Sequence, residues 1–130
     1  MERPFFLVKG TVKMNFKSVK HKEEFERATE KKTENKKYES AVYLLTADYW
    51  LWQKMKGQIH GTEIDFNGIH HTDLSVEQYT LFCCAKDIFL GTKHISFCDL
   101  SDGDLISAEL FNLICTAVAV NRFSKKILYM

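Results

Sequence analysis

The scarcity of turn-forming residues is the feature of this sequence that most restricts its fold. The 130 residues include only six glycines and one proline. An all-β sandwich needs many tight turns, whereas helices joined by short connections need few. A chain of this length can also bury a sizeable core as one domain. We therefore predict a mainly α fold, a compact bundle of four to five helices.

N-capping residues mark the starts of several predicted helices. Ser18 is a good N-cap for a first helix over 19–32. Ser75 and Gln78 have the spacing of a capping box, and Gly91 is a natural stop for the helix that follows them. Apolar side chains surround most of the circumference of that helix. We therefore predict that it lies at the centre of the fold.

Apolar spacing predicts the other helices. Between 38 and 49 apolar residues recur at helical spacing, and Asp48 can cap a further short helix. A last helix over 107–120 has Thr116 as the only polar residue in its final eight positions, so we expect it to be the most buried element. The segment 58–72 has no regular period. It is predicted to be an irregular middle segment with at most a short strand.

The first thirteen residues permit two interpretations. The segments 5–8 and 11–16 could pair as a small terminal β-hairpin around Lys9 and Gly10. Alternatively, Met14 is the natural start, and the preceding residues are an upstream extension. The predicted domains are accordingly 1–13 as an extension or hairpin and 14–130 as a single helical domain.

Charge is distributed unevenly along the chain, although the net charge is only +1 at pH 7. Residues 61–121 contain nine acidic and two basic side chains, whereas residues 1–60 contain thirteen basic and eight acidic ones. The basic part mixes both signs, and arginine, on which base-specific recognition depends, occurs only three times. This pattern argues against nucleic-acid binding. We expect the acidic span to face either a basic partner or the chain's own basic helix.

The cysteines and the apolar runs indicate the cellular location of the protein. The four cysteines lack the spacing of a disulfide framework, which is typical of a reduced, cytoplasmic protein. There is no run of about 18 apolar residues, so we predict no membrane-spanning helix. His94 and Cys98 are the only pair with acceptable zinc-ligand spacing, and we predict no metal and no cofactor.

Motifs for catalysis or calcium binding are absent or incomplete. The stretch 99–109 is similar to an EF-hand loop, but it lacks the glycine at the turn, and Glu109 comes about two residues early for bidentate ligation. We interpret its acidic residues as caps of the helix that follows. No dinucleotide, P-loop, hydrolase or metalloprotease signature occurs. We therefore predict that the protein is not an enzyme.

Two groups of residues are predicted to bind a partner protein. Trp50 and Trp52 are two positions apart and cannot share one helix face, so one of them should be exposed. An exposed tryptophan beside Lys54 and Lys56 would serve as an interface anchor. The second predicted group is acidic and would attract a basic partner. It consists of Asp99, Asp102 and Asp104.

A binding site for a small ligand is the alternative interpretation. Tyr49 could line a pocket with His70 and His71 and receive a flat, nucleotide-like molecule. Lys54 and Lys56 would then supply positive charge.

Three short segments carry a family resemblance. They are Phe16-Lys-Ser-x-x-His-x-x-x-Phe25, Ala41-Val-Tyr-Leu-Leu-Thr46 and Glu109-Leu-Phe-Asn112. Over about 14–122 the chain resembles small proteins of unknown function from Gram-positive bacteria and their phages. The resemblance implies an accessory protein of a mobile element. The function we predict is that of a non-enzymatic factor that binds and inhibits or modulates a host protein, such as a defence effector.

Overall fold

The computed structural model describes residues 14–30 and 34–125, and this part of the chain is mainly helical. The predicted mainly α class is therefore confirmed. Six α-helices are present in the described ranges: α1 Val19–Thr29, α2 Lys36–Leu45, α3 Tyr49–Met55, α4 Val76–Leu90, α5 Phe97–Leu100 and α6 Ala108–Phe123. The helix beyond the predicted four to five is the four-residue α5. In these ranges no helix combines the length and the apolar character needed to cross a bilayer.

The irregular middle segment contains a small antiparallel hairpin. Its strands are β1, Ile59–His60, and β2, Glu63–Ile64, with Ile59 opposite Ile64. Gly61 in the connecting turn has a φ of 67°, a left-handed conformation that glycine adopts without steric cost. The predicted terminal hairpin or extension over 1–13 lies outside the described residues.

The predicted capping residues begin their helices as expected. The Ser18 hydroxyl accepts the N–H of His21 at 3.1 Å. Ser75 and Gln78 make both bonds of a capping box, at 3.1 and 2.9 Å. Gly91 ends α4 in the left-handed conformation, with a φ of 75°. Each cap satisfies backbone groups that the helix itself leaves unpaired.

The helix at the centre of the fold is α2, and not α4 as predicted, since only six of the fifteen residues of α4 are buried. It contacts α1, α3, α4 and α6, and eight of its ten residues are buried. In α6, by contrast, seven of sixteen residues are buried. The prediction that the last helix is the most buried element is therefore wrong, because α6 packs on α2 through one face and leaves the other uncovered.

A buried histidine attaches α1 to α2. The Nδ1 atom of His21 accepts the backbone N–H of Lys17 at 3.0 Å, so Nε2 carries the proton and donates to the Tyr43 carbonyl at 2.8 Å. The His21 ring also lies 4.8 Å from the Tyr43 ring and 5.2 Å from that of Phe16. Burial disfavours the charged imidazolium and lowers the pKa of His21 to about 4.

Candidate interaction surface

The two tryptophans of α3 have different environments. Trp50 is 66% exposed. Trp52 is buried, and its indole N–H donates to Glu24 on α1 at 2.9 Å. The prediction that one of the two rings is exposed is met by Trp50. Trp52 is a core residue and is therefore not available to contact a partner, contrary to the prediction. Lys54 and Lys56 are exposed toward the end of the same segment.

The start of α3 lies against the start of α4. Asp48 Oδ1 accepts the N–H of Leu51 at 2.9 Å and the side-chain amide of Gln78 at 3.1 Å. One carboxylate therefore caps α3 and binds the capping residue of α4. Exposed rings lie on either side of this junction, which we call the α3–α4 corner. They are Tyr49 and Trp50 on α3, Tyr79 on α4 and His71 just before it.

The predicted ligand residues do not form one pocket. The Tyr49 ring packs edge-on against Trp50, with centroids 5.0 Å apart. The His71 ring instead lies 5.5 Å from Tyr79. Within 14–30 and 34–125, no hydrogen bond, ion pair or ring contact joins Tyr49 to His70 or His71. The aromatic residues are thus near the same junction without a shared binding geometry.

Phe97 is the side chain that sequence reasoning missed. It is 86% exposed, the highest value among the large apolar side chains of the described residues. It is the first residue of α5, which Ser96 and Asp99 hold in place with a capping box of 3.1 and 2.9 Å. The Ser-x-x-Asp pattern around it was the available signal.

The predicted acidic group follows this phenylalanine in sequence. Asp99 caps α5, and Asp102 Oδ1 accepts the N–H of Asp104 at 2.9 Å in a tight turn. The Asp104 side chain is exposed and has no hydrogen-bond or ion-pair partner among the described residues. Two of the three carboxylates therefore shape the backbone, while all three add negative charge to the surface.

One carboxylate organises the connection between α4 and α5. Asp87 accepts the Thr92 hydroxyl at 2.6 Å, the backbone N–H groups of His94 and Ile95 at 2.9 and 2.8 Å, and His94 Nδ1 at 2.8 Å. Burial alone would raise the pKa of Asp87, but these hydrogen bonds outweigh it, so the pKa is lowered. The connection that leads to Phe97 is therefore fixed rather than loose.

A recess opens beside Phe97. Its volume is about 290 Å³. Ile95, Phe97 and Leu100 supply an apolar lining, and Ser96 and Lys93 add polar groups at the edge. A partner's side chain could enter it next to the exposed ring. We call Phe97, this recess and the three aspartates the Phe97 surface.

The Phe97 surface and the α3–α4 corner are built from different segments of the chain. The contact between Asp48 and Gln78 lies at the start of α4, whereas Phe97 comes six residues after Gly91, at which α4 ends. The predicted partner-binding residues therefore fall into two groups.

The acidic span also faces the basic part of the chain at one point. Lys17 lies 3.9 Å from a Glu77 carboxylate oxygen and 3.8 Å from one of Glu109. Ion pairs this long and this exposed contribute little to stability. The acidic residues at the starts of α4 and α6 thus lie near Lys17, which precedes α1, and residues 101–104 are exposed to solvent.

In the described ranges the cysteine and histidine side chains do not come together in a catalytic or metal-binding site. Cys83 and Cys84 are buried, and burial raises the pKa of Cys84 to about 12. Cys98 is exposed, but no hydrogen bond joins it to His94. No group of three His, Cys, Asp or Glu side chains in 14–30 and 34–125 could hold a metal ion.

Comparison with known proteins gives no functional assignment. No family model matches this chain, and no curated protein or solved structure matches it. Its function therefore has to be inferred from the surface of the molecule and from the sequence.

Proposed function

We propose that this chain is a non-enzymatic interaction protein that binds a basic surface of another protein through the Phe97 surface. The observation that carries this proposal is the 86% exposure of Phe97. Transfer of a phenylalanine side chain from water into an apolar contact contributes about 1.5–3 kcal/mol. Aromatic rings that enter a partner's pocket are common anchors of protein interfaces.

The ordered backbone around Phe97 favours binding. Asp87 holds residues 92–95, and the capping box of Ser96 and Asp99 holds the first turn of α5. A side chain presented from an ordered backbone loses less conformational entropy when a partner binds. The recess beside the ring offers a complementary position for one side chain of the partner.

The charge near Phe97 indicates the chemistry of the partner. Asp99, Asp102 and Asp104 follow it within seven residues, and Lys93 is the nearest basic residue in sequence. A negative field attracts a positively charged surface, raises its association rate and loses strength as salt increases. A lysine- or arginine-rich protein surface therefore fits this site better than an acidic one or a nucleic acid.

The biological setting comes from the sequence resemblance. Under that interpretation the chain is a factor of a phage or another mobile element that binds and inhibits or modulates a host protein, such as a defence effector. All four cysteines are free, in keeping with the reducing environment of a cytoplasm, where we place this encounter.

Capture from the native host, followed by measurements with the purified partner, tests the proposal. We expect Phe97→Ala to weaken the affinity roughly tenfold or more, as removal of an interface anchor does. The combined change of Asp99, Asp102 and Asp104 to Asn removes charge but keeps a capping oxygen at each position. It should slow association and flatten its salt dependence.

A matched control uses an exposed apolar residue that is not part of the Phe97 surface. Val76 is 71% exposed at the start of α4, so Val76→Ala should leave the affinity unchanged. Equal affinities for wild type and Phe97→Ala would contradict the proposal. A rise in melting temperature with a nucleotide, in the absence of a protein partner, would support the ligand-binding alternative instead.

A further inference from the structure

The outward face of α6 carries an apolar stripe. Phe111 is 41% exposed, Val118 is 53% exposed, and Cys115 lies half-buried between them. Ala108 and Arg122 continue the same face, at intervals of three or four residues. We call Phe111, Cys115 and Val118 the α6 stripe. No charged residue occurs from 111 to 121.

The core does not use these apolar groups. The opposite face of α6 packs against α2 and α4 through Leu110, Leu113 and Ala117, which are buried. A helix that serves only to cover a core usually has charged or polar residues on its outer face. A continuous apolar stripe on that face is typical of a second contact surface.

We propose that α6 is a homodimer interface in which two copies pack their α6 stripes antiparallel about a two-fold axis near Cys115. The stripe is nearly symmetric about this residue, since Phe111 precedes it by four positions and Val118 follows it by three. An antiparallel pairing therefore places Phe111 opposite the partner's Val118 and Val118 opposite the partner's Phe111. A two-fold interface requires this kind of self-complementarity.

The charges at the two ends of α6 favour the antiparallel orientation. Asp102 and Asp104 precede the start of the helix, and Arg122 lies in its last turn. The Arg122 guanidinium lies 5.4 Å from the Phe123 ring and makes no ion pair with the described residues. Antiparallel pairing brings it toward the partner's acidic end, whereas parallel pairing would bring like charges together.

The size of the stripe sets the expected strength. A contact made by two helices over about three turns buries less than the roughly 800 Å² per partner of a standard stable interface. We therefore expect a weak dimer, with a dissociation constant on the order of 10–100 μM. This self-association does not rest on the proposed function, because it uses residues other than Phe97 and needs no host partner.

Analytical ultracentrifugation over a concentration range that extends to about 1 mM tests the proposal. The critical pair is Val118→Glu and Val76→Glu, since both valines are exposed and only Val118 lies on the stripe. Wild type and Val76→Glu should approach the dimer mass together. Val118→Glu should weaken dimerisation roughly tenfold or more, because it places an unpaired charge in an apolar contact.

Two results would overturn this inference. One is a wild-type chain that stays monomeric over the whole range, and the other is equal self-association of the two glutamate variants. Circular dichroism of Val118→Glu provides the folding control, and its helical signal should match wild type.

A thiol cross-link tests the register of the two helices. In a Cys98→Ser background the most accessible remaining thiol is that of the half-buried Cys115, since Cys83 and Cys84 are buried. A short bis-maleimide should join two chains through Cys115, and Cys115→Ser should abolish this product. A dimer seen in the ultracentrifuge that gives no Cys115 cross-link would contradict the antiparallel register.

Discussion

Helices α2 and α6 pack against each other, but the more polar helix, α2, is the more buried of the two. α2 contains two tyrosines, a serine and a glutamate and is buried over eight of its ten residues. α6 has Thr116 as its only polar residue between Leu113 and Val120, and it keeps one face in contact with solvent. The position of a helix among its neighbours decides how much of it is buried. The hydrophobicity of a helix therefore does not by itself predict how deeply that helix is buried.

The central helix tolerates its polar groups because most of them are paired. The Ser40 hydroxyl donates to the Ala117 carbonyl of α6, and the Tyr43 hydroxyl donates to the Asn15 carbonyl. The Tyr38 hydroxyl donates to the Ala28 carbonyl at 3.0 Å. A buried donor without such a partner would cost about 1–3 kcal/mol. Glu39 is the exception, since its Oε1 atom is buried without a hydrogen-bond partner.

Truncation of one aliphatic residue in each helix gives the largest expected contrast. Leu44 on α2 is fully buried, so Leu44→Ala should lower the free energy of unfolding by about 3–4 kcal/mol through lost burial and a cavity. Val118→Ala on α6 should change it by no more than about 0.5 kcal/mol, because this side chain is exposed. Urea denaturation at dilute, monomeric concentration measures both. Similar losses for the two variants would mean that the outer face of α6 belongs to the core.

The sequence was most informative where local chemistry decides the structure. Ser18, Asp48, Ser75 and Gly91 define helix ends through bonds made within a few residues, and each was predicted. The order of burial was predicted wrongly, because it depends on which helices surround α2. The role of His21 was also missed, since its second partner is the carbonyl of Tyr43, 22 positions away.

In the candidate surface, too, the features that depend on residues distant in sequence were not predicted. One exposed tryptophan was expected, but its identity depended on Glu24, which accepts the Trp52 indole N–H across a separation of 28 residues. The exposure of Phe97 was not predicted, because an isolated phenylalanine is usually a core residue. The part played by Asp87 was missed as well, since its donors are mainly backbone N–H groups whose direction is known only from the fold.

The pH dependence of stability gives the next largest effect and concerns the contact of α1 with α2. The folded pKa of His21 is about 4, below the ordinary value of 6.5, so the unfolded state binds more protons between these values. The contribution of His21 is complete above pH 6.5 and is lost as the pH falls toward 4. We expect a loss of about 2–3 kcal/mol across this range.

Denaturation of wild type and His21→Gln at several pH values isolates this effect. The variant should be less stable than wild type at pH 7, because it loses the packing of the imidazole ring. The difference between the two should shrink as the pH falls toward 4. Parallel stability curves would show that His21 does not titrate in the core.

Glu39 gives the smallest effect, with the opposite pH dependence. Burial raises the pKa of Glu39 above its ordinary value, although Lys125 partly opposes this. The folded state therefore holds the proton more tightly than the unfolded state does. Stability falls as the pH rises from the ordinary pKa of a glutamate to the raised pKa of Glu39 in the folded state. Glu39→Gln should increase the free energy of unfolding by about 1 kcal/mol at pH 7, because a neutral amide costs less to bury. The gain should diminish in acid, and a gain that does not depend on pH would contradict this account.

The hydrogen bonds to Asp87 join residues that are at most eight positions apart. Contacts of such low contact order close small loops, lose little chain entropy and can form early during folding. The connection between α4 and α5 is therefore held mainly by its own neighbours in sequence rather than by α1 or the hairpin. A substitution that weakens the distant core should reduce the number of folded molecules while each folded molecule keeps the same affinity for the proposed partner. Abundance and binding strength can then vary separately as the sequence of this small protein evolves.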